Sequence, residues 1–183
     1  MKKEITPELI ARVALVIIVV VFAGRYGVHK YQEHQRAEEL ISQGIYELDF
    51  SYVAVRNATY VYYMVCDPPE TDEEVKAYID QFLDENNIVP KLMERSKYWV
   101  HELEKLQNKS NIPLERISIW FLEPTEDFPA GAEVDDGDVP AGGAMLVVDI
   151  TEEKDVYQYH YLYLRNNSSY EMPGRTTARE TED

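Results

Sequence analysis

Apolar residues fall into three patterns along this chain. From Val13 to Ala23 eleven of them follow one another without a break, between Arg12 and Arg25. From Val75 to Leu106 they recur every three or four residues, and from Val156 to Arg165 tyrosine takes every second position. The patterns predict, in order, a helix long enough for a membrane, amphipathic helices, and strand.

The first helix starts ahead of its apolar block. Thr6 suits the cap, Pro7 the first helical position and Glu8 the first turn, with Arg12 one turn further on. Leu9 to Val28 is 20 residues, about 30 Å of helix, which matches the hydrocarbon thickness. Twelve of the 20 are Leu, Ile, Val or Phe and together favour insertion by on the order of 5 kcal/mol. Arg12 and Arg25 flank the segment and reach toward the headgroups, avoiding the roughly 2.5–3.5 kcal/mol that each would cost at the bilayer centre. Residues 1–28 therefore read as a cytosolic tail and a retained membrane anchor. A cleaved export signal is the first alternative, because Val13–Ala23 has the length of a signal core and Val21-Phe22-Ala23 fits a cleavage pattern. Against it stand the long leading segment with its two acids and a helical pattern that continues past Ala23. A soluble core helix is the second alternative, and the run lacks the polar face it needs.

The basic flanks balance at three and three, so charge does not orient the span. The short leading tail favours an exported body. Asn57-Ala58-Thr59, Asn108-Lys109-Ser110 and the overlapping pair at Asn166 and Asn167 have the form of glycosylation acceptors, and read equally as polar turns.

In the body, residues 29–48 place Leu40, Ile41, Gly44, Ile45 and Leu48 at helical spacing and predict a helical stalk. Residues 49–69 are ambiguous. Val53, Val55, Val61 and Val65 favour a hairpin turning at Arg56-Asn57, while Leu48, Tyr52, Val55, Thr59 and Tyr62 keep a helical rhythm. The expectation here is helix, since no strong breaker separates the stretch from the stalk. Thr71 and Glu74 form a capping box ahead of the stripe Val75, Tyr78, Ile79, Phe82 and Leu83. Pro90 opens a second helix with Leu92, Met93, Trp99, Val100, Leu103 and Leu106 on its buried side. Residues 117–122, 144–150 and 156–165 read as strands, the last two forming a hairpin. Helices first and strands afterwards predict an α+β head over 29–170, with helices packed on a small antiparallel sheet. The polar, aperiodic stretch 171–183 reads as a disordered tail.

Charge narrows the partners. Six basic and three acidic side chains leave +3 in residues 1–36, so residues 37–183 of this −16 chain carry −19. Such a body is repelled by phosphate backbones, which argues against nucleic acid. Cys66 is the one cysteine, so neither an intrachain disulfide nor a paired-cysteine zinc site is available.

The most distinctive chemistry is the row Tyr157, Tyr159, Tyr161 and Tyr163. Four phenols about 7 Å apart on one strand face make a surface that can stack on sugars or receive a partner, unless helices cover it. The acidic stretch 123–143 holds oxygens for a hard cation but not the alternating calcium-loop pattern. His29, His34, His101 and His160 form no zinc motif, and no phosphate-binding glycine loop or nucleophile elbow is present. Catalytic, cofactor and metal residues are thus expected to be absent. The sequence predicts a single-pass, membrane-anchored, non-enzymatic protein, with residues 9–28 in lipid. Its exported acidic head binds a partner protein or an envelope polymer. Two other readings are a tethered sensory head with a ligand pocket between helices and sheet, and a secreted enzyme released by signal cleavage.

Overall fold

The computed structural model describes residue 38 and residues 40–130, 143–165 and 168–179. The chain divides into two units, Met1–Gln43 and Gly44–Asp183. In the first, the described residues end in a helical turn, where the Gln43 amide donates to the Leu40 carbonyl (3.0 Å). The anchor at 9–28, with Arg12 and Arg25, lies outside the described residues. No helix among the described residues is long and apolar enough to cross a membrane.

The second unit is a six-stranded mixed sheet with two long helices. Its elements are β1 (Ile45–Val53), β2 (Ala58–Val65), α1 (Asp72–Glu85), α2 (Ile88–Gln107), β3 (Arg116–Leu122), β4 (Ala144–Glu153), β5 (Val156–Tyr163) and β6 (Tyr170–Ala178). The strands lie in chain order, and every neighbouring pair is antiparallel except β2–β3, which is parallel. A parallel pair needs a long crossover, and the two helices supply it.

Three expectations are corrected. The helical stalk over 29–48 does not hold at its end, because Ile45–Leu48 already belong to β1. Gly44 ends the preceding turn at φ +73°, a left-handed conformation that stops a helix. Residues 49–65 are not helix but a β1–β2 hairpin, closed by a single 3-10 turn at Ala54–Arg56 and by Asn57 at φ +46°. β2 is buried on both faces apart from Tyr62, so its apolar run shows no alternation, and the residual helical rhythm was accidental. The tail, too, is ordered where it was expected to be disordered: residues 170–178 form the edge strand β6. Its composition is polar because most of it faces water, while β5 satisfies its backbone. The antiparallel α+β arrangement is therefore replaced by a mainly strand unit with a mixed sheet.

Both helices cover one face of the sheet. Thr71 caps α1: its hydroxyl oxygen accepts from the Glu74 amide (3.4 Å) and its O–H donates to the Glu74 carboxylate (2.8 Å). Val75, Ile79, Phe82 and Leu83 of α1 and Leu92, Met93 and Val100 of α2 are buried. They meet Val61 and Tyr63 of β2, Ile117, Ile119 and Phe121 of β3, and Leu146, Val148 and Ile150 of β4. The Phe82 ring stands edge-on to both Tyr63 (5.4 Å) and Phe121 (6.0 Å). Inside this core the Thr59 hydroxyl donates to Ser96 Oγ (2.8 Å), and Ser96 donates to the Leu92 carbonyl (2.6 Å). On α2, Trp99 and Leu106 depart from the expected buried side: they are 49% and 84% exposed.

Asparagines 57, 87, 108 and 111 all sit at positive φ. Two of the acceptor-type sequences thus fall at turns where asparagine tolerates a left-handed backbone. The neck of the acidic stretch is pinned. The Glu123 amide donates to the Gly143 carbonyl (2.8 Å), and the Glu123 carboxylate pairs with Arg165 (2.8 Å). Gly143 has φ +83°, and an added Cβ would lie 2.5 Å from the Glu123 carbonyl oxygen, so only glycine fits there.

Candidate functional site

The tyrosine row lies on the helix-covered face. Tyr157, Tyr159, Tyr161 and Tyr163 pair in register with Glu152, Ile150, Val148 and Leu146 of β4, and all four are buried. Tyr161 donates its hydroxyl to Asp80 of α1 and lies under the ammonium of Lys76, 4.1 Å from the ring centre. Arg175 Nε of β6 donates to the same hydroxyl (2.9 Å), and its guanidinium lies 4.4 Å from the centre of the Tyr159 ring. Burial pushes all four phenols above their ordinary range, Tyr161 furthest, with Asp80 adding to the rise. The Tyr159 hydroxyl accepts from Thr177 (3.2 Å), and the row is core and presents no surface to a ligand.

The opposite face carries no helix among the described residues. The register aligns two rows across it. One is polar: Ser51, Tyr60, Ser118, Asp149 and His160, on β1 to β5. The other is Asp49, Tyr62, Trp120, Val147, Leu162 and Glu171, an aromatic and aliphatic band with an acid at each end. At the usual strand spacing the polar row spans about 19 Å. Tyr60, Ser118 and Val147 are buried, Tyr62 and Trp120 are half-buried with ring centres 6.0 Å apart, and His160 and Leu162 are exposed. Trp120 Nε1 donates to Ser118 Oγ (3.2 Å), which ties the rows together.

Positive charge gathers at the hairpin end of this face. Arg56 Nη1 (3.2 Å) and Arg116 Nη2 (3.4 Å) both donate to the Tyr60 hydroxyl oxygen. Arg116 Nη1 also meets Asp149 Oδ2 (3.3 Å). The two guanidinium groups, Arg56 foremost, hold the Tyr60 phenol below its ordinary range. Tyr62 moves the other way, raised by burial and then by Asp49 and Tyr60. Asp149 Oδ1 is buried and has no hydrogen-bond partner among the described residues.

Beside Asp149 a shallow depression of about 230 Å³ is lined by Val147, His160, Leu162, Glu171 and Gly174. That is below the 300–1,000 Å³ usual for small-molecule pockets. A second depression of about 440 Å³ separates α1 from the start of β6; Lys76 and Asp80 in its lining pair with each other (2.7 Å), and Glu73 and Glu171 line it as well. No group of three or more His, Cys, Asp or Glu side chains suited to a metal occurs among the described residues. Burial, then Asp67, pushes the Cys66 thiol above its ordinary range, away from thiolate reactivity.

The two rows were hidden from sequence reasoning by the helical reading of 49–66, which removed β2 from the sheet. One signal pointed to them. Asp149 interrupts the otherwise apolar strand Met145–Ile150, and a charge in a central strand demands a partner. No known protein family, curated protein or solved structure matches the chain.

Proposed function

We propose that this is a membrane-tethered, non-enzymatic binding protein whose head engages a partner protein through the helix-free sheet face. The supporting observation is the pair of cross-strand rows. Trp120, Tyr62 and Arg116 are the residue types that dominate binding energy at protein interfaces, and here they converge on one face. The depression beside them is too small to enclose a drug-sized ligand, whereas the part of this face that meets solvent, with Arg116, His160 and Leu162 exposed and Tyr62 and Trp120 half-buried, suits a macromolecular contact. The tether is the 9–28 segment, by the insertion energetics of its sequence. The acidity of the body keeps nucleic acid away.

Photocrosslinking in cells tests the binding face. A benzophenone amino acid at position 162, exposed on the proposed face, is expected to give a discrete adduct, and one at position 81, exposed on α1, none. Equal labelling from both positions, or none from 162, overturns the reading. An alkaline wash of membranes tests the tether: the full chain is expected to stay in the pellet, and its release excludes a spanning anchor.

A further inference from the structure

We propose that Asn108, at the C-terminal end of α2, is an N-glycosylation acceptor. Four stretches of the chain have the Asn-x-Ser/Thr form. The overlapping pair at Asn166 and Asn167 lies outside the described residues. Of the other two, the fold closes one and leaves the other open.

Asn57-Ala58-Thr59 is closed. Asn57 is half-buried in the hairpin turn, and its carbonyl accepts from the Glu115 amide (2.8 Å). Ala58 and Thr59 begin β2, are 1% and 0% exposed, and pair with β1 on one side and β3 on the other. The Thr59 hydroxyl, which completes the acceptor pattern, is engaged with Ser96 inside the core. An enzyme could take hold of this tripeptide in the folded head only by pulling β2 out of the sheet.

Asn108-Lys109-Ser110 is open. All three residues are exposed. Asn108 leaves α2 at φ +50°, a left-handed step that turns the chain away from the helix. Backbone bonds alone secure this end: the Asn108 amide donates to the Lys105 carbonyl (3.3 Å) and the Lys109 amide to the Glu104 carbonyl (3.1 Å). Neither the Asn108 carboxamide nor the Ser110 hydroxyl has a hydrogen-bond partner among the described residues. Residues 109–115 belong to no helix or strand, so the tripeptide can extend into an active site without breaking either. A bulky glycan needs such a surface position. The donor is a sugar carried on a lipid pyrophosphate. The Asn108 amide nitrogen bonds to the anomeric carbon of that sugar and gives up one proton. The bond from this carbon to the pyrophosphate oxygen breaks, and the lipid pyrophosphate leaves.

The inference rests on the tethered head of the preceding section being exported, and the test keeps the two apart. Native membranes are washed at alkaline pH, the full chain is recovered from pellet or wash, and its peptides are sequenced by mass spectrometry. A glycan is expected on Asn108, with Asn57 bare. Ser110→Ala, which keeps Asn108 and its left-handed backbone, is expected to abolish the glycan, and Ser110→Thr to retain it. A bare Asn108, a glycan on Asn57, or an added mass that survives Ser110→Ala overturns the inference. If the chain stays in the pellet with Asn108 bare, the inference fails and the tether stands. If the wash releases a chain glycosylated at Asn108, the tether fails and the inference stands. A chain both released and bare removes the two together.

Discussion

The hydroxyl of Tyr161, on β5, donates to a carboxylate oxygen of Asp80, on α1, and Arg175 of the edge strand β6 closes on the same pair. Arg175 also forms a two-bonded contact with Asp84 (2.6 and 2.8 Å). β6 is mostly exposed, and this fork is what ties it to the helix layer. Arg175→Ala is expected to cost about 1–3 kcal/mol, since it removes two charge-assisted hydrogen bonds to Asp84 and one to the Tyr161 hydroxyl. Hydrogen exchange should speed up in β6 while β2 and β3 stay protected. Uniform acceleration throughout the sheet would show that β6 is no separate unit.

Stability should fall at alkaline pH. Tyr157, Tyr159, Tyr161 and Tyr163 have folded pKa values raised above those of the unfolded chain. Their contribution is complete below the ordinary tyrosine value, near about 10, and is lost as pH rises beyond it. Each phenol that stays protonated only in the folded state removes about 1.4 kcal/mol per pH unit there. Denaturant midpoints measured at increasing pH above that value should drop, and Tyr161→Phe should flatten the slope.

The buried hydroxyl pair Thr59–Ser96 should show asymmetric costs. Ser96→Ala leaves the Thr59 hydroxyl without its acceptor in a closed core and is expected to cost about 1–3 kcal/mol. Thr59→Val with Ser96→Ala removes both polar groups and should recover much of that loss. A double-mutant cycle in urea reads the difference, and simple additivity would refute it.

Tyr60 should ionise at lower pH than a free tyrosine because two guanidinium groups face its oxygen. Arg56→Ala and Arg116→Ala are each expected to move that ionisation back up. Both leave the helix-side core untouched. Ring-carbon shifts of Tyr60 followed by NMR through the titration report the change, and an unmoved midpoint would mean that the guanidinium groups do not act on the phenol.

Local signals were legible wherever one face of an element meets water. The capping box at Thr71, the stripe from Val75 to Leu83 and the Glu153–Val156 hairpin each carry a period that survives folding, because burial there is one-sided. β2 carries no such period, since Ala58 and Met64 are buried on one face and Thr59, Val61 and Tyr63 on the other. β6 failed for the opposite reason: an edge strand mostly in water has the composition of a loop, and its order comes from β5 and Arg175.

By itself the sequence determined the charge balance, the 20-residue apolar segment, both helices and the alternation that sets every tyrosine of β5 on one side. Which side that is, only the tertiary structure decided. Strand alternation defines two faces without saying which one the helices cover, and that choice depends on a crossover joining β2 to β3, residues distant in sequence. The same crossover buried the tyrosines and left Tyr60, Tyr62, Trp120, Asp149 and His160 aligned on the other face. Pairing across six strands assembled those rows, and no local pattern encodes them.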